Sequence, residues 1–417
     1  MLAFTFPGQG SQRPGMGTEW VDHPSFELVG YASEVVGRDV AELLLGAGQE
    51  ELTRTANAQL ATFVTSLVVL DAAERIGLEP AICAGHSLGE YTALVATGAL
   101  SFEDGLRLVA ERGDAMQDAA DQVSGTMMAV LGLTDDDVEA ACVRAEGEVW
   151  VANYNAPGQV VIAGVPEALS GAAALARALG AKRVAQLPVG GAFHTPLMAP
   201  ARDRLRKALA GVTFQRPSPA VVANVDARVH EDAAEWPGLL SAQLCSPVRW
   251  HQSLKALHQC GARTFVELGP GGVLSGLAKR ALPAGEHRVF TVATPAELDE
   301  LAEQLAFLET PAPPAAPVER FAMTERLVVA PATGPFRPAP ELAAWAPRLP
   351  GAAVSDDGAG GGEAPHIAVG DLVGWSGEAE VRSPFAGTLA GILVLAGERV
   401  LGGQPVAWLR ADRNLEV

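Results

Sequence analysis

The chain has 417 residues, 48% of them hydrophobic and 19% charged, with 49 acidic against 30 basic side chains and a net charge of -19. That length and apolar fraction suit two or three globular domains with ample cores. The charge excludes nucleic acid as a principal partner, because phosphate binding needs a basic face. An acidic protein partner would have to find a local cationic patch. Lys182-Arg183, the run Arg202, Arg204, Arg206 and Lys207, and Lys279-Arg280 are the candidates, although each also suits a solvated helix face. The four cysteines, Cys83, Cys142, Cys245 and Cys260, lack the spacing of a metal site or disulfide framework and are expected to be reduced. Met1 leads straight into strand-like residues without a basic leader or cleavage site, and the apolar run Leu60 to Leu70 reads as a buried helix too short to span a bilayer. Together these features point to a cytoplasmic protein.

Up to about residue 290, strand-like runs alternate with helical patterns, which predicts an α/β layer fold. The candidate strands are Phe4-Thr5-Phe6, Ala81 to Ala84, Val221 to Val225 and Thr264 to Leu268. The first strand runs into Phe6-Pro7-Gly8-Gln9-Gly10-Ser11-Gln12. This Gly-rich turn lacks the lysine of a phosphate-binding loop. It suits either a ligand-free connection or a loop that offers the Gln9 N–H to an oxyanion.

The second strand enters Gly85-His86-Ser87-Leu88-Gly89, followed by the helical Glu90 to Ala96. A strand turning this sharply into a helix forms a nucleophile elbow, whose serine is held out at the positive end of the helix. The Leu88 N–H is the natural second oxyanion donor beside Gln9. His86 abuts the serine, but neighbouring residues on an elbow diverge, so it is expected to pack or orient. Further on, Arg112 lies among apolar neighbours on a helical segment. It is either a surface residue or, facing a cleft, a bidentate grip on a carboxylate.

From about residue 123 to 188 the pattern becomes β-α-β-β-α-β, which predicts an inserted ferredoxin-like subdomain. His194 then follows the strand-like Gln186 to Val189 and precedes Pro196 and a helical run. That placement suits a general base above a sheet. A helical tail and a stiff Pro/Ala-rich linker are expected over 291–325. A β module over 326–417 follows, with a Gly/Asp-rich insert at about 351–364. Within the module Val328 to Phe336 is echoed by Val381 to Leu389, and Ala368 to Trp375 by Leu395 to Gly402. Two copies of strand-turn-strand predict a sandwich built from similar halves.

Read together, PGQGSQ, the Gln59 region, GHSLGEY, ERGDAMQ, NYNAPGQVVIAG, GAFHTPLM, NVD, QLCSPVRW and VELGPGGVLSGL stand in the order seen in one family. Residues 1 to about 281 resemble malonyl-CoA:acyl carrier protein transacylases and the acyltransferase domains of fatty acid and polyketide synthases. The resemblance implies an α/β-hydrolase-like large subdomain with the ferredoxin-like insertion. It also implies Ser87 as nucleophile, His194 as base, and Gln9 and Leu88 as oxyanion donors. Arg112 would take the free carboxylate of the acyl group, and Gln243 would orient His194 through its carbonyl. Gln59 and Asn155 would lie near the substrate, with Phe193 narrowing the pocket for malonyl. Malonyl-CoA and an acyl carrier protein are the implied partners, with no covalently bound cofactor and no metal. A different acyl group moved between carrier proteins, a serine thioesterase or hydrolase of the same elbow type, and an inactive carrier-docking subunit are the alternatives. The early PGQG turn and Arg112 favour the transferase, because a simple esterase needs neither.

The C-terminal module resembles biotinyl/lipoyl carrier domains. The stretch where that family carries its modified lysine is Trp375-Ser376-Gly377-Glu378-Ala379, and no lysine follows Lys279. An amide-linked biotin or lipoyl group therefore has no attachment point in the module. Docking to a carrier protein or to a synthase partner, or a purely structural role, are the expectations for it.

Overall fold

The fold is taken from a computed structural model, which describes residues 1–309, 325–345, 364–384 and 386–411. Within them the chain divides into two compact units, Met1–Thr310 and Pro311–Val417. The first unit has, in chain order, strands β1 (Leu2–Phe6), β2 (Ile82–Gly85), β3 (Thr126–Leu131), β4 (Val149–Ala156), β5 (Gln159–Gly164), β6 (Arg183–Gln186), β7 (Val221–Val222), β8 (Val229–His230), β9 (Thr264–Leu268) and β10 (Arg288–Val292).

Strands β2 and β9 are buried at every residue and β1 at all but its first, so none shows the polar alternation of a half-exposed sheet. They form the middle of a six-stranded sheet in the order β10-β9-β1-β2-β7-β8. All its pairings are parallel except that of β7 with β8. Phe6 pairs with Gly85, so the chain leaves β1 and β2 side by side at the carboxyl edge of the sheet. Ligands of open parallel sheets bind at that edge.

Two 21-residue helices, Thr55–Arg75 and Phe102–Gln122, pack on each other, and the first also packs on β9. The first is longer than the apolar run alone suggested and has the length and hydropathy to cross a bilayer, but 83% of its apolar window is buried within the fold. The second starts at Ser101, whose side chain accepts from the Asp104 N–H. Its buried face carries Leu108, Val109, Arg112, Met116 and Ala119 at helical spacing.

Strands β3 to β6 form a separate antiparallel sheet in the order β4-β5-β3-β6, with helices Asp135–Arg144 and Pro166–Ala178. This is the β-α-β-β-α-β order expected of the insertion, with its own core around Val130, Val138, Val160 and Leu169.

Three features differ from the sequence reading. Of the strand-like Gln186 to Val189 only the first residue belongs to β6, which stops at Gln186. The strand expected over Val221 to Val225 stops at Val222, because the next residues turn so that Asn224 can bond the elbow. The boundary expected at residue 290 falls inside β10, which pairs with β9. Helix Pro295–Glu309 then packs Leu298 and Leu301 into the main core, so the first unit reaches Thr310. Strand β10 lies at the sheet edge with mostly half-buried residues, and so gives no continuous apolar run to read.

The second unit contains strands β11 (Glu325–Val329), β12 (Gly334–Pro338), β13 (His366–Ile367), β14 (Leu372–Ser376), β15 (Ala379–Arg382), β16 (Gly387–Ile392), β17 (Arg399–Val400) and β18 (Pro405–Ala411). They form two antiparallel sheets, β11-β18-β16-β13 and β15-β14-β12-β17, around Phe336, Val373, Val381, Leu389 and Val406. If each of the first four strands is exchanged with the strand four places later, one sheet order becomes the other. The echo of Val328 to Phe336 at Val381 to Leu389 falls on the exchanged pairs β11/β15 and β12/β16, whereas the echo of Ala368 to Trp375 at Leu395 to Gly402 is out of register, because it sets β14 against β17 while the exchange matches β17 with β13. Gly377 and Glu378 form the tight hairpin between the halves, with Gly377 at φ 62°. The Pro-rich stretch Pro311 to Pro317 and the Gly-rich stretch Ser355 to Gly362 lie outside the described residues.

If the helix after β10 belongs to the core, Leu301→Ala should cost about 2–5 kcal/mol. Urea unfolding of the full chain, followed by tryptophan fluorescence, measures this.

Candidate active site

The elbow is built from close backbone contacts. A Cβ on Gly85 would lie 1.8 Å from the Gly89 carbonyl oxygen, and one on Gly89 would lie 2.0 Å from that of Phe6. Only glycine lets strand, turn and helix approach this closely. Between them Ser87 has φ 51°, a left-handed conformation that costs a non-glycine residue on the order of 1–3 kcal/mol. Asn224 holds it there. Its Oδ1 accepts from the Ser87 N–H at 2.7 Å, and its Nδ2 donates to the Gly85 carbonyl at 2.7 Å.

His194 meets the serine from the loop after the inserted subdomain, and it too is left-handed, at φ 62°. Ser87, His194 and Ala227 are the non-glycine residues at positive φ among those described. The Ser87 hydroxyl lies 2.8 Å from His194 Nε2, and His194 Nδ1 lies 2.9 Å from the backbone carbonyl of Gln243. A carbonyl only accepts, so Nδ1 carries the hydrogen and Nε2 presents its lone pair to the hydroxyl. Burial, with the positive charge of Arg112 as the next cause, pushes the imidazole down to about 3. The ring is therefore neutral and able to take a proton at physiological pH.

Arg112 is 1% exposed, an unusual setting for a guanidinium. Its Nη2 donates to Ser87 Oγ at 3.0 Å and to Gln243 Oε1 at 2.9 Å, and its Nη1 donates to Gln59 Oε1. Its charged carbon stands 5.4 Å from the centre of the Tyr91 ring. All three acceptors are neutral, and Arg112 Nε has no partner. Arg112, Ser87, His194, Phe193, Gln9 and Asn155 are among the residues around one cavity of about 170 Å³. Neither the Gln9 nor the Leu88 N–H donates to a protein acceptor among the described residues. Both are thus free to serve an oxyanion.

The expected residues are not all placed alike. Gln59 and Gln243 reach Arg112 and do not line the cavity themselves. Asn155 Oδ1 lies 2.9 Å from His86 Nε2, and the His86 ring meets Trp250 edge-on. Of the cationic clusters, Arg204 is paired with Glu111 and Asp118, and Arg202 with Asp203. Lys182 and Arg280 instead border a groove shared with Lys255, Asp135 and Asp136. No cluster of His, Cys, Asp and Glu suited to a metal occurs among the described residues. Sequence reasoning assigned nothing to Asn224 or Glu90. Both lie inside quoted motifs, but their work is long-range hydrogen bonding that spacing does not reveal.

A family model described as an acyl transferase domain matches residues 3–308. The malonyl CoA-acyl carrier protein transacylase of Bacillus subtilis is 42% identical over 284 residues, which are 67% of this chain and 90% of that protein. Its counterpart in Salmonella typhimurium is 44% identical over 284 residues, 67% of this chain and 92% of that one. Among solved structures, an acyl-carrier-protein S-malonyltransferase from Burkholderia pseudomallei is 42% identical with a TM-score of 0.69, covering 72% of this chain and 99% of its own. A malonyl-transacylase in complex with its type II polyketide synthase acyl-carrier protein is 37% identical with a TM-score of 0.70, covering 73% and 99% respectively.

The His194 geometry has a measurable consequence. With ring-15N-labelled histidine, NMR should show His194 protonated at Nδ1, bare at Nε2 and untitrated from pH 8 to pH 5. The folded value lies below the ordinary 6.5, so the unfolded chain binds more protons over that interval. Stability contributed by this residue should accordingly be full above pH 6.5 and decline as the pH falls below it.

Proposed function

The chain belongs to the acyl transferase family and is an acyltransferase that moves malonyl groups from CoA to acyl carrier protein in fatty acid or polyketide synthesis; from that premise we propose that it works through a Ser87 acyl-enzyme activated by His194. The observation that carries this assignment is the 2.8 Å contact between Ser87 Oγ and a histidine whose other nitrogen is fixed by a carbonyl.

In the first half-reaction Ser87 Oγ attacks the thioester carbon of malonyl-CoA while its proton passes to His194 Nε2. The oxyanion is held by the N–H groups of Gln9 and Leu88. Collapse breaks the carbon–sulfur bond, and His194 returns the proton to the departing CoA thiolate. The thiol of the carrier's phosphopantetheine arm then attacks the ester by the same route in reverse. Arg112 receives the free carboxylate of the acyl group, trading neutral acceptors for an anion. Asn155 and Phe193 border the pocket, and the family resemblance assigns Phe193 the exclusion of an α-substituent. Gln59 acts at one remove, by holding Arg112. Selection against one extra methyl group in such a pocket is worth only about 1–3 kcal/mol.

For docking the acidic carrier, we favour the groove bordered by Lys182, Lys255 and Arg280, since Arg202 and Arg204 of the other cationic run are held in internal ion pairs. Four unpaired cysteines support a reducing, cytoplasmic setting. The second unit fits a biotinyl/lipoyl-like sandwich without the means to carry its prosthetic group. Two four-stranded sheets with two-fold related strand orders support that reading, and the hairpin between its halves presents Gly377 and Glu378 in place of a lysine. Docking to a carrier or synthase partner is the role we assign it.

Intact-mass measurement after mixing with malonyl-CoA should show one added malonyl group, absent in Ser87→Ala and transferred on adding holo carrier protein. Rapid loss to free malonate without transfer would favour a hydrolase. Arg112→Ala should lower the preference for malonyl over acetyl at least tenfold in kcat/KM; an unchanged ratio removes Arg112 from carboxylate recognition. Removing residues 311–417 should leave the rate with malonyl-CoA intact and slow transfer to the cognate carrier. Equal rates with both would argue against the docking role.

A further inference from the structure

Directly after the elbow, Glu90 is 1% exposed and does not line the active-site cavity. Both of its oxygens accept N–H groups: Oε1 from the Asn224 backbone at 2.7 Å, and Oε2 from Gln243 Nε2. Burial opposes its ionisation and pushes its carboxyl up to about 7, against the pull of those two donors and of Arg112. A carboxyl group buried at such expense is weak evidence of a stabilising role. Its neighbours suggest another one.

Gln243 has a carboxamide that could sit either way round, with oxygen and nitrogen exchanged. In this fold its Nε2 donates both to the Ser87 carbonyl at 2.8 Å and to Glu90, which leaves Oε1 facing Arg112 Nη2 at 2.9 Å. Reversed, the amide would turn its NH2 group toward the guanidinium, two donors facing each other, and its oxygen toward a carboxylate. The guanidinium and the Ser87 carbonyl oppose that arrangement, and above about pH 7 an ionised Glu90 adds to the opposition, because a carboxylate can only accept. Glu90 also lends negative charge to a guanidinium whose own hydrogen-bond acceptors are neutral.

We propose that Glu90 is a positioning residue for acyl selectivity: its carboxylate helps to hold the Gln243 amide in its orientation, and through it aims Arg112 at the carboxylate of the acyl group. The proposal rests on the assignment of Arg112 to the malonyl carboxylate. It adds to that assignment a residue that touches neither substrate nor nucleophile side chain.

The test compares kcat and KM for malonyl-CoA and acetyl-CoA in the full chain, for wild type, Glu90→Gln, Glu90→Asp, Arg112→Ala and the double variant Glu90→Gln/Arg112→Ala. A glutamine at 90 must turn an NH2 group toward one of two N–H donors, so the Gln243 amide can lose one of the two acceptors on its nitrogen and holds Arg112 less firmly. Glu90→Gln should then lower the malonyl-to-acetyl ratio of kcat/KM about tenfold, mainly through KM for malonyl-CoA. Glu90→Asp, which keeps the charge but draws it back by one carbon from Gln243, should lose part of the preference, though less than Glu90→Gln. In the Arg112→Ala background the Gln substitution should change the ratio less than twofold, because the residue it acts through is gone. An equal loss with both substrates, or an unchanged ratio, would overturn the proposal. If Glu90→Gln does not fold, Glu90→Asp decides: a ratio equal to wild type overturns it, and a partial fall supports it. Should Arg112→Ala itself keep the wild-type preference, the carboxylate assignment fails instead. A normal loss in Arg112→Ala with no change in either Glu90 variant overturns only the role of Glu90.

Discussion

Gln243 is the joint on which this active site turns. Its backbone carbonyl fixes the tautomer of His194, and its side-chain amide bonds the Ser87 carbonyl, Arg112 and Glu90. Ser87, His194 and Arg112 come from three separate parts of the chain, the elbow, the loop after the insertion and the helix Phe102–Gln122. One residue from a fourth segment makes their positions mutually dependent. Groups tied in this way are expected to respond non-additively to substitution.

The backbone carries the complementary constraint. Ser87 and His194 both sit at positive φ, where L side chains are strained, and they face each other across 2.8 Å. Such strain persists only where the surroundings over-determine it. Here the fit of Gly85 and Gly89 against neighbouring carbonyls and the two bonds from Asn224 do so. The side chains are thereby preorganised before substrate arrives, which is the condition under which oxyanion donors and a neutral base are most effective. The second unit is a sandwich whose two halves repeat one strand pattern around their own core.

The sequence by itself determined the chemistry and the layers. Apolar runs without alternation marked the central strands, and β-α-β-β-α-β patterning marked the insertion. The glycines around Ser87 marked the elbow, and the repeat of Val328 to Phe336 at Val381 to Leu389 marked the sandwich halves. These features are legible because each is local: a turn, a period or a copied segment. Only the tertiary structure decided what depends on contacts between distant segments. It ended the strand at Val222 so that Asn224 could reach an elbow 137 residues away, and it joined the helix Pro295–Glu309 to the core. It also set Gln59 behind Arg112 rather than in the cavity, and bonded Glu90 to a glutamine 153 residues away. Burial of a polar group and the partner that satisfies it are properties of the packed chain, and neither has a signature in residue spacing.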